Sequence, residues 1–150
     1  MFKSVLSLLL ACLAVVSAPA QSSKFDIKYQ KETVLVNGQP FCLLKTSETL
    51  PTSYSIHTLD GAELVSLKVH YIKIETGKRE GFFLVTFTET GQTVECEVVP
   101  SFGRMFLQEL IETETLTLGG IDVENERRFV RKSKLRLSEA IKGKVKSTNN

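Results

Sequence analysis

The stretch that most constrains the fold is FFLVTFTETGQTVECEVV, residues 82–99. Apolar and polar residues alternate through both halves, around a central Thr90-Gly91 dipeptide. The pairs that a turn at this dipeptide predicts are Phe87 with Val94, Val85 with Cys96, and Phe83 with Val98. All six residues are apolar and share one face, while the other face carries mainly threonines and glutamates. This pattern predicts an antiparallel hairpin with one face buried and one in water.

Residues 54–74, YSIHTLDGAELVSLKVHYIKI, predict a second hairpin. Asp60-Gly61 is a strong signal for a two-residue turn, because both residues tolerate positive φ angles. The pairs that this turn predicts are Tyr54 with Leu67, Ile56 with Val65, and His57 with Leu64. The first two pairs belong to the buried face, and the third belongs to the wet face.

A third hairpin is predicted in ETVLVNGQPFCLL, residues 32–44, with its turn at Asn37-Gly38. Pro40 has no N–H to donate, so its strand is expected to be an edge strand or to carry a bulge. An exposed edge can pair with an extended peptide or with a second copy of the chain. The residues of the expected partner edge are Val34, Val36, Phe41 and Leu43.

The pattern changes to helical spacing after Pro100. Ser101 is a candidate helix cap, and the apolar stripe of this helix is Phe102, Met105, Phe106, Leu110 and Ile111. Gly119-Gly120 is expected to be a flexible break, and Asp122 to cap a second helix that begins near Val123. Beyond Lys132 the pattern fits a strand and a helix equally.

Strands first and helices last predict an α+β fold. We expect an antiparallel meander of six or seven strands followed by two or three helices, in a single domain over residues 21–140. A closed barrel with the helices outside it is the alternative. Residue 141 onward reads as a flexible basic tail.

The first twenty residues have the character of a secretory signal: one cation, an apolar run, and a small-residue cleavage site. Cleavage is expected after Ala20, which leaves Gln21 first; lipidation at Cys12 is the alternative. Export would leave Cys42 and Cys96 in an oxidising compartment, where they could form one disulfide. Two buried thiols are the other reading.

Charge is divided unevenly along the chain. Residues 21–126 hold nine basic and sixteen acidic side chains, net −7, whereas residues 127–150 are net +8. The basic end also carries apolar residues, among them Phe129 and Val130. We therefore expect residues 127–136 to lie against the acidic body and the charges beyond Ala140 to stay mobile. An arm for an anionic surface is the rival interpretation.

Motifs for catalysis or cofactor binding are absent from the sequence: it has no nucleophile elbow, phosphate loop, paired Cys-x-x-Cys or metal-protease helix. His57 and His70 are both expected on the wet face, too far apart to share a metal. An acidic body with a basic end does not fit a nucleic-acid protein, whose basic charge usually covers a folded face. We expect no enzyme activity, no cofactor and no nucleic-acid partner.

The segments APAQ, VLVNGQPFCLL, YSIHTLDGAELV, FFLVTFTETGQTVECEV and DVENERRFVRK together resemble small exported, strand-rich proteins of the Bacteroidetes type. The resemblance implies a bacterial periplasm or an extracellular location. It implies no activity and no functional residue.

Two functions follow as expectations. One is an exported, non-enzymatic domain that binds or scaffolds a protein partner through an edge strand, or associates with itself. The other is a binder of a small apolar or lipidic ligand between sheet and helix. The residues expected to line that ligand site are Phe83, Val85, Phe87, Phe102 and Phe106.

Overall fold

A computed structural model describes residues 24–49, 52–74, 77–133 and 137–139. Its strands are β1 (Ile27–Gln30), β2 (Thr33–Val36), β3 (Gln39–Thr46), β4 (Tyr54–His57), β5 (Glu63–Lys73), β6 (Arg79–Phe87) and β7 (Thr93–Glu97). Helix α1 (Phe102–Glu112), the two-residue strands β8 (Leu116–Thr117) and β9 (Gly120–Ile121), and helix α2 (Val123–Lys132) follow. The expected signal peptide and the tail beyond residue 140 lie outside the described residues.

The seven long strands form one antiparallel meander in the order β1 to β7. The α+β prediction is therefore confirmed, and the alternative of a closed barrel is wrong, because β1 and β7 do not pair. One face of the sheet carries the core, against which both helices pack. The sheet curls around α1, since Tyr29 on the first strand donates a hydrogen bond from its hydroxyl to the carbonyl of Arg104 at 3.3 Å.

Five phenylalanines connect the sheet to both helices. Phe83 of β6 stacks on Phe102 of α1 with ring centroids 4.2 Å apart. Phe106 meets Phe129 of α2 edge to face at 5.6 Å, and Phe129 in turn meets Phe87 of β6. Aromatic pairs in these geometries stabilise beyond their buried area by about 0.5–1.5 kcal/mol each. They fix the positions of the two helices over β6.

The Asn37-Gly38 turn is confirmed, and it pairs Val36 with Gln39. Both turn residues have positive φ, 52° and 81°, as this two-residue turn requires. The side chain of Asn37 also accepts a hydrogen bond from the backbone N–H of Asp26 at 2.9 Å. Local sequence alone is sufficient to specify this hairpin.

The hairpin of β6 and β7 has a different register from the predicted one. Val85 pairs with Val94, and Phe83 with Cys96, which is a shift of two residues. A two-residue turn would place the β-branched Thr90 at positive φ, which is sterically unfavourable. The chain instead forms a four-residue loop in which only Gly91 has positive φ, 69°. A shift of two keeps the apolar face of each strand, so the buried side was still predicted correctly.

The turn after β4 is also longer than predicted. Thr58 N–H bonds to the carbonyl of Ala62, which closes a three-residue loop with Gly61 at φ 97°. His57 therefore pairs with Glu63 and not with Leu64, and a bulge between Ile56 and His57 restores the predicted Ile56–Val65 pair. The burial of Val65 and Leu67 explains why the strand recovers that register.

His57 is not the surface imidazole that was expected. It is only 9% exposed, with Nδ1 3.0 Å from the carbonyl oxygen of Gly61 and Nε2 2.9 Å from Oγ of Ser55. The bulged loop folds over the ring and supplies its first partner. His70 is exposed, as predicted, and stacks on Phe82.

The helical region follows the sequence pattern with three differences. Asp122 caps α2 as predicted, accepting a hydrogen bond from the N–H of Asn125 at 2.8 Å. Ser101 precedes α1 but makes no side-chain capping bond, and Met105 is 57% exposed, not part of the core. Gly119-Gly120 lies in the small β8–β9 hairpin and is not a simple break.

Candidate functional site: a cleft between the last strand and the first helix

The expected partner edge is not at the edge of the sheet. Strand β2 lies between β1 and β3, and β3 lies between β2 and β4. Val34 and Val36 are buried in the core, so the prediction that Val34, Val36, Phe41 and Leu43 form an exposed edge is wrong. Pro40 is accommodated by the other predicted means, a bulge, where Leu35 pairs with Pro40 and Val34 with Cys42.

The two edge strands of the sheet are β1 and β7. Phe87 N–H bonds to the carbonyl of Gln92, so this pair is a hydrogen-bonded one. Such pairs alternate along an antiparallel ladder, which directs the backbone groups of Thr93, Glu95 and Glu97 away from β6. Within the described ranges no strand pairs with this side of β7. It is the kind of edge to which another strand can be added.

A cleft of about 360 Å³ lies between β7 and α1. The residues that line it are Glu95, Cys96, Glu97, Val99, Phe102, Met105, Phe106, Glu109 and Ser133. Five of them are apolar side chains or a thiol from β7, α1 and the segment between them. The exposed side chain of Met105 extends this apolar surface towards solvent. Val98, which was expected in the core, is also exposed.

Close packing at the start of α1 positions the helix side of the cleft. A Cβ atom on Gly103 would lie 2.5 Å from the Tyr54 ring of β4, so only glycine permits this approach. The stacked pair Phe83 and Phe102 fixes the same helical turn. Met105 and Glu109, on the side of α1 that faces away from Tyr54, are thereby directed towards β7.

Cys96 and Glu109 give the cleft its electrostatic character. Burial and, to a smaller extent, the negative charge of Glu109 together raise the pKa of the Cys96 thiol to about 11. At neutral pH the thiol is therefore protonated and is a weak nucleophile, because thiolate is the reactive form. This chemistry favours Cys96 as an apolar contact in a binding site over a catalytic role.

Acidic groups surround the apolar floor. Glu95 and Glu97 are on the solvent face of β7 by strand alternation, and Glu109 approaches the cleft from the helix. Among the described residues that line the cleft, none is basic. A ligand with apolar side chains and positive charges would match this surface better than an anion would.

The chain itself returns to this edge after α2. The backbone N–H and the hydroxyl of Ser138 donate to the two carboxylate oxygens of Glu95 at 2.7 and 2.6 Å. Ser133, at the end of α2, lines the cleft. The C-terminal part of the chain is thus held at the edge strand by a bidentate contact.

The expected docking of the basic end is visible in α2. Phe129 and Val130 are buried in the core, while Arg127, Arg128 and Arg131 are exposed. The apolar residues make the contact with the body, and Arg128 pairs with Glu124 of its own helix. Residues 134–136 of the expected segment lie outside the described ranges.

Only part of the predicted ligand site reaches the cleft. Phe102 and Phe106 line it, whereas Phe83, Val85 and Phe87 belong to the filled core. Cys42 is buried on β3 and Cys96 is half-buried on β7, and both thiols are free, so of the two alternatives that the sequence left open the structure has free thiols and not the disulfide. Burial raises the pKa of Cys42 to about 12.

Sequence reasoning missed the residues that make the site specific. Val99 and Glu109 are separated by a turn and a helix start, and nothing in their spacing indicates a shared cleft. Met105 was recognised in the apolar stripe of α1 but was assigned to the face packed on the sheet. The glutamates of β7 were interpreted as a solvated surface, which is correct for the exposed Glu97 but not for Glu95, whose carboxylate binds Ser138. That interpretation also did not identify the strand as an edge.

Comparisons with protein-family models, curated proteins and solved structures found no match. Among the described helices, none has the length and apolar character needed to cross a membrane. In the same part of the chain no cluster of three or more His, Cys, Asp or Glu residues is arranged to hold a metal.

Proposed function

We propose that this is an exported, non-enzymatic protein that binds an extended segment of a partner protein at β7. The observation that carries the proposal is the coincidence of a strand edge that no described strand pairs with and an apolar cleft beside it. In strand addition, backbone hydrogen bonds to the edge supply affinity, and pockets for alternate side chains supply selectivity. Both elements are present where β7 faces α1.

The charge of the site defines the class of segment. A strand added to β7 directs alternate side chains towards Cys96 and the cleft, and the others towards Glu95 and Glu97. Apolar side chains suit the first set and lysine or arginine the second, because opposite charges across strands stabilise pairing. We therefore propose a partner segment in which apolar and basic residues alternate.

A direct test is the binding of a fluorescent VKIKVK peptide, measured by anisotropy. Glu97→Lys places a like charge beside the lysines of the added strand and is expected to weaken binding roughly two- to fivefold, since an exposed charge pair contributes up to about 1 kcal/mol and a tenfold change is about 1.4 kcal/mol. Glu112→Lys is the matched control, because it makes the same change on an exposed part of α1 outside the cleft. A VEIEVE peptide that binds as well as VKIKVK would contradict the proposal.

Export is part of the proposal and rests on residues 1–20 of the sequence. N-terminal sequencing of the protein recovered from the culture medium or periplasm is expected to start at Gln21. A chain that retains Met1, or one lipidated at Cys12, would contradict this.

A second candidate function is the binding of a small apolar ligand. The volume of the cleft, about 360 Å³, falls within the range of about 300–1,000 Å³ typical of ligand pockets. Because Glu109 lies beside the cleft, a cationic amphiphile is the expected ligand class. Tighter binding of dodecylamine than of lauric acid, lost in Glu109→Lys, would support this function.

A further inference from the structure

The chain carries its own segment with the pattern that the cleft requires. Residues 140–150 are AIKGKVKSTNN. In an extended conformation Ile141, Gly143 and Val145 would share one face, and Lys142, Lys144 and Lys146 the other. We propose that this terminal segment occupies the cleft of its own chain, pairing with β7 until a partner replaces it.

The Glu95–Ser138 contact places the start of this segment at the right position. Ser138 is bound to the carboxylate of a residue that itself lines the cleft. The segment therefore begins at residue 140, only two residues after the one that is bound to β7. Eleven residues extend over roughly 36 Å, whereas the five residues of β7 span only about 17 Å. Chain length does not prevent the segment from following the whole edge.

Charge and polarity agree with this occupant. The three lysines would lie on the solvent face of the sheet, beside Glu95 and Glu97, and the two apolar side chains would lie over Cys96 and the cleft. The folded body over residues 21–133, which includes the four cations of α2, keeps a net charge of −3, and this favours the approach of a cationic segment. A tethered segment also needs no free partner, because its effective concentration near the site is in the millimolar range.

This inference differs from the expectation, drawn from sequence alone, that charges beyond Ala140 stay mobile. That expectation was based only on the basic composition of the tail. The structure adds an acidic, apolar cleft and an anchor at Ser138, neither of which is visible in the tail itself.

The test uses Cys96 as a reporter, because its side chain lines the proposed site. Full-length protein and a chain truncated after Glu139 are treated with iodoacetamide at pH 8.5, and each cysteine is quantified by peptide mass spectrometry. Truncation is expected to speed the labelling of Cys96 at least fivefold. Cys42, buried at 1% exposure, is the internal control and should label slowly in both chains if the fold is intact.

Two further variants separate the proposed contact from a general effect of truncation. A chain that ends at Lys146 retains the whole alternating pattern and is expected to label like the full-length protein. Replacing Lys142, Lys144 and Lys146 with glutamine should give labelling close to that of the chain that ends at Glu139. Protection that depends on protein concentration would indicate the tail of a second copy and overturn the intramolecular proposal.

The inference rests on the cleft named under the proposed function, but the two can fail separately. Equal labelling of Cys96 in the full-length and truncated chains would overturn the self-occupied cleft. Binding of VKIKVK would in that case still support partner recognition at β7.

Discussion

Gly103 of α1 lies directly against the ring of Tyr54 on β4, so that a Cβ atom there would be 2.5 Å from Cδ1. Gly103→Ala is expected to lower the free energy of unfolding by about 1–2 kcal/mol. Overpacking costs about 1–3 kcal/mol, and the better helix propensity of alanine recovers only part of that, up to about 1 kcal/mol. Urea unfolding measures the difference.

The control for this substitution is a double-mutant cycle with Tyr54→Ala, which removes the ring that alanine would meet. In that background Gly103→Ala should be neutral or stabilising. If Gly103→Ala stabilises the chain that retains Tyr54, the close approach does not constrain α1.

A second prediction concerns Glu126 of α2, a fully buried carboxylate. Its Oε1 accepts hydrogen bonds from the hydroxyl of Thr90 and from Nε2 of Gln92, at 2.9 Å in the second case, whereas Oε2 has no hydrogen-bond partner among the described residues. The carboxylate therefore joins the β6–β7 loop to the helix. Glu126→Ala is expected to cost roughly 2–4 kcal/mol, because it leaves both donors unpaired beside a cavity.

Glu126→Gln is the matched variant, because it retains an acceptor for both donors and removes the buried charge. We expect it to lose less than half as much stability as the alanine variant in the same denaturant series. An alanine variant as stable as the unmodified chain would show that desolvating the carboxylate costs as much as its contacts return.

The third prediction is the pH dependence of Cys96. Since burial raises its pKa to about 11, the thiolate fraction at pH 8 is small. The rate of labelling should therefore rise steeply between pH 8 and about pH 11. The negative charge of Glu109 contributes to the raised pKa, so Glu109→Gln should lower the midpoint and speed labelling at pH 8. Glu112→Gln is the control and should leave the midpoint in place.

Measurements on the chain truncated after Glu139 separate this electrostatic effect from shielding by the tail. A midpoint for Cys96 near 8.5 in that chain, unmoved by Glu109→Gln, would contradict the described environment of the thiol.

The sequence was sufficient to predict which face of each strand is buried, because alternation depends only on local spacing. Asn37-Gly38 was also sufficient to specify its turn, since both residues accept positive φ. The registers next to Thr90 and Asp60 were not predicted. Thr90 is β-branched and disfavours the positive φ of a two-residue turn. Asp60 tolerates it but lies in a three-residue loop closed by the hydrogen bond from Thr58 N–H to the carbonyl of Ala62. Only the glycine of each dipeptide adopts a positive φ.

The site itself was only partly predictable. Phe102 and Phe106 were identified from helical spacing. The same spacing also selects the core residues Leu110 and Ile111, so it does not distinguish the cleft from the core. Which strands form the edges depends on strand order, and Pro40 suggested the wrong one because a bulge can also accommodate it. The approach of Glu109 to Cys96 depends on how α1 packs, which is set by Gly103 and Tyr54 far away in sequence.

The central claim is that a peptide adds to β7 as a strand, and amide hydrogen exchange tests it most directly. The experiment compares exchange in the chain truncated after Glu139, with and without saturating VKIKVK. We expect the outward amides of Thr93, Glu95 and Glu97 to slow at least tenfold, while those of Val94 and Cys96, already bonded to β6, change little. Bound peptide with no change at these three amides would contradict strand addition.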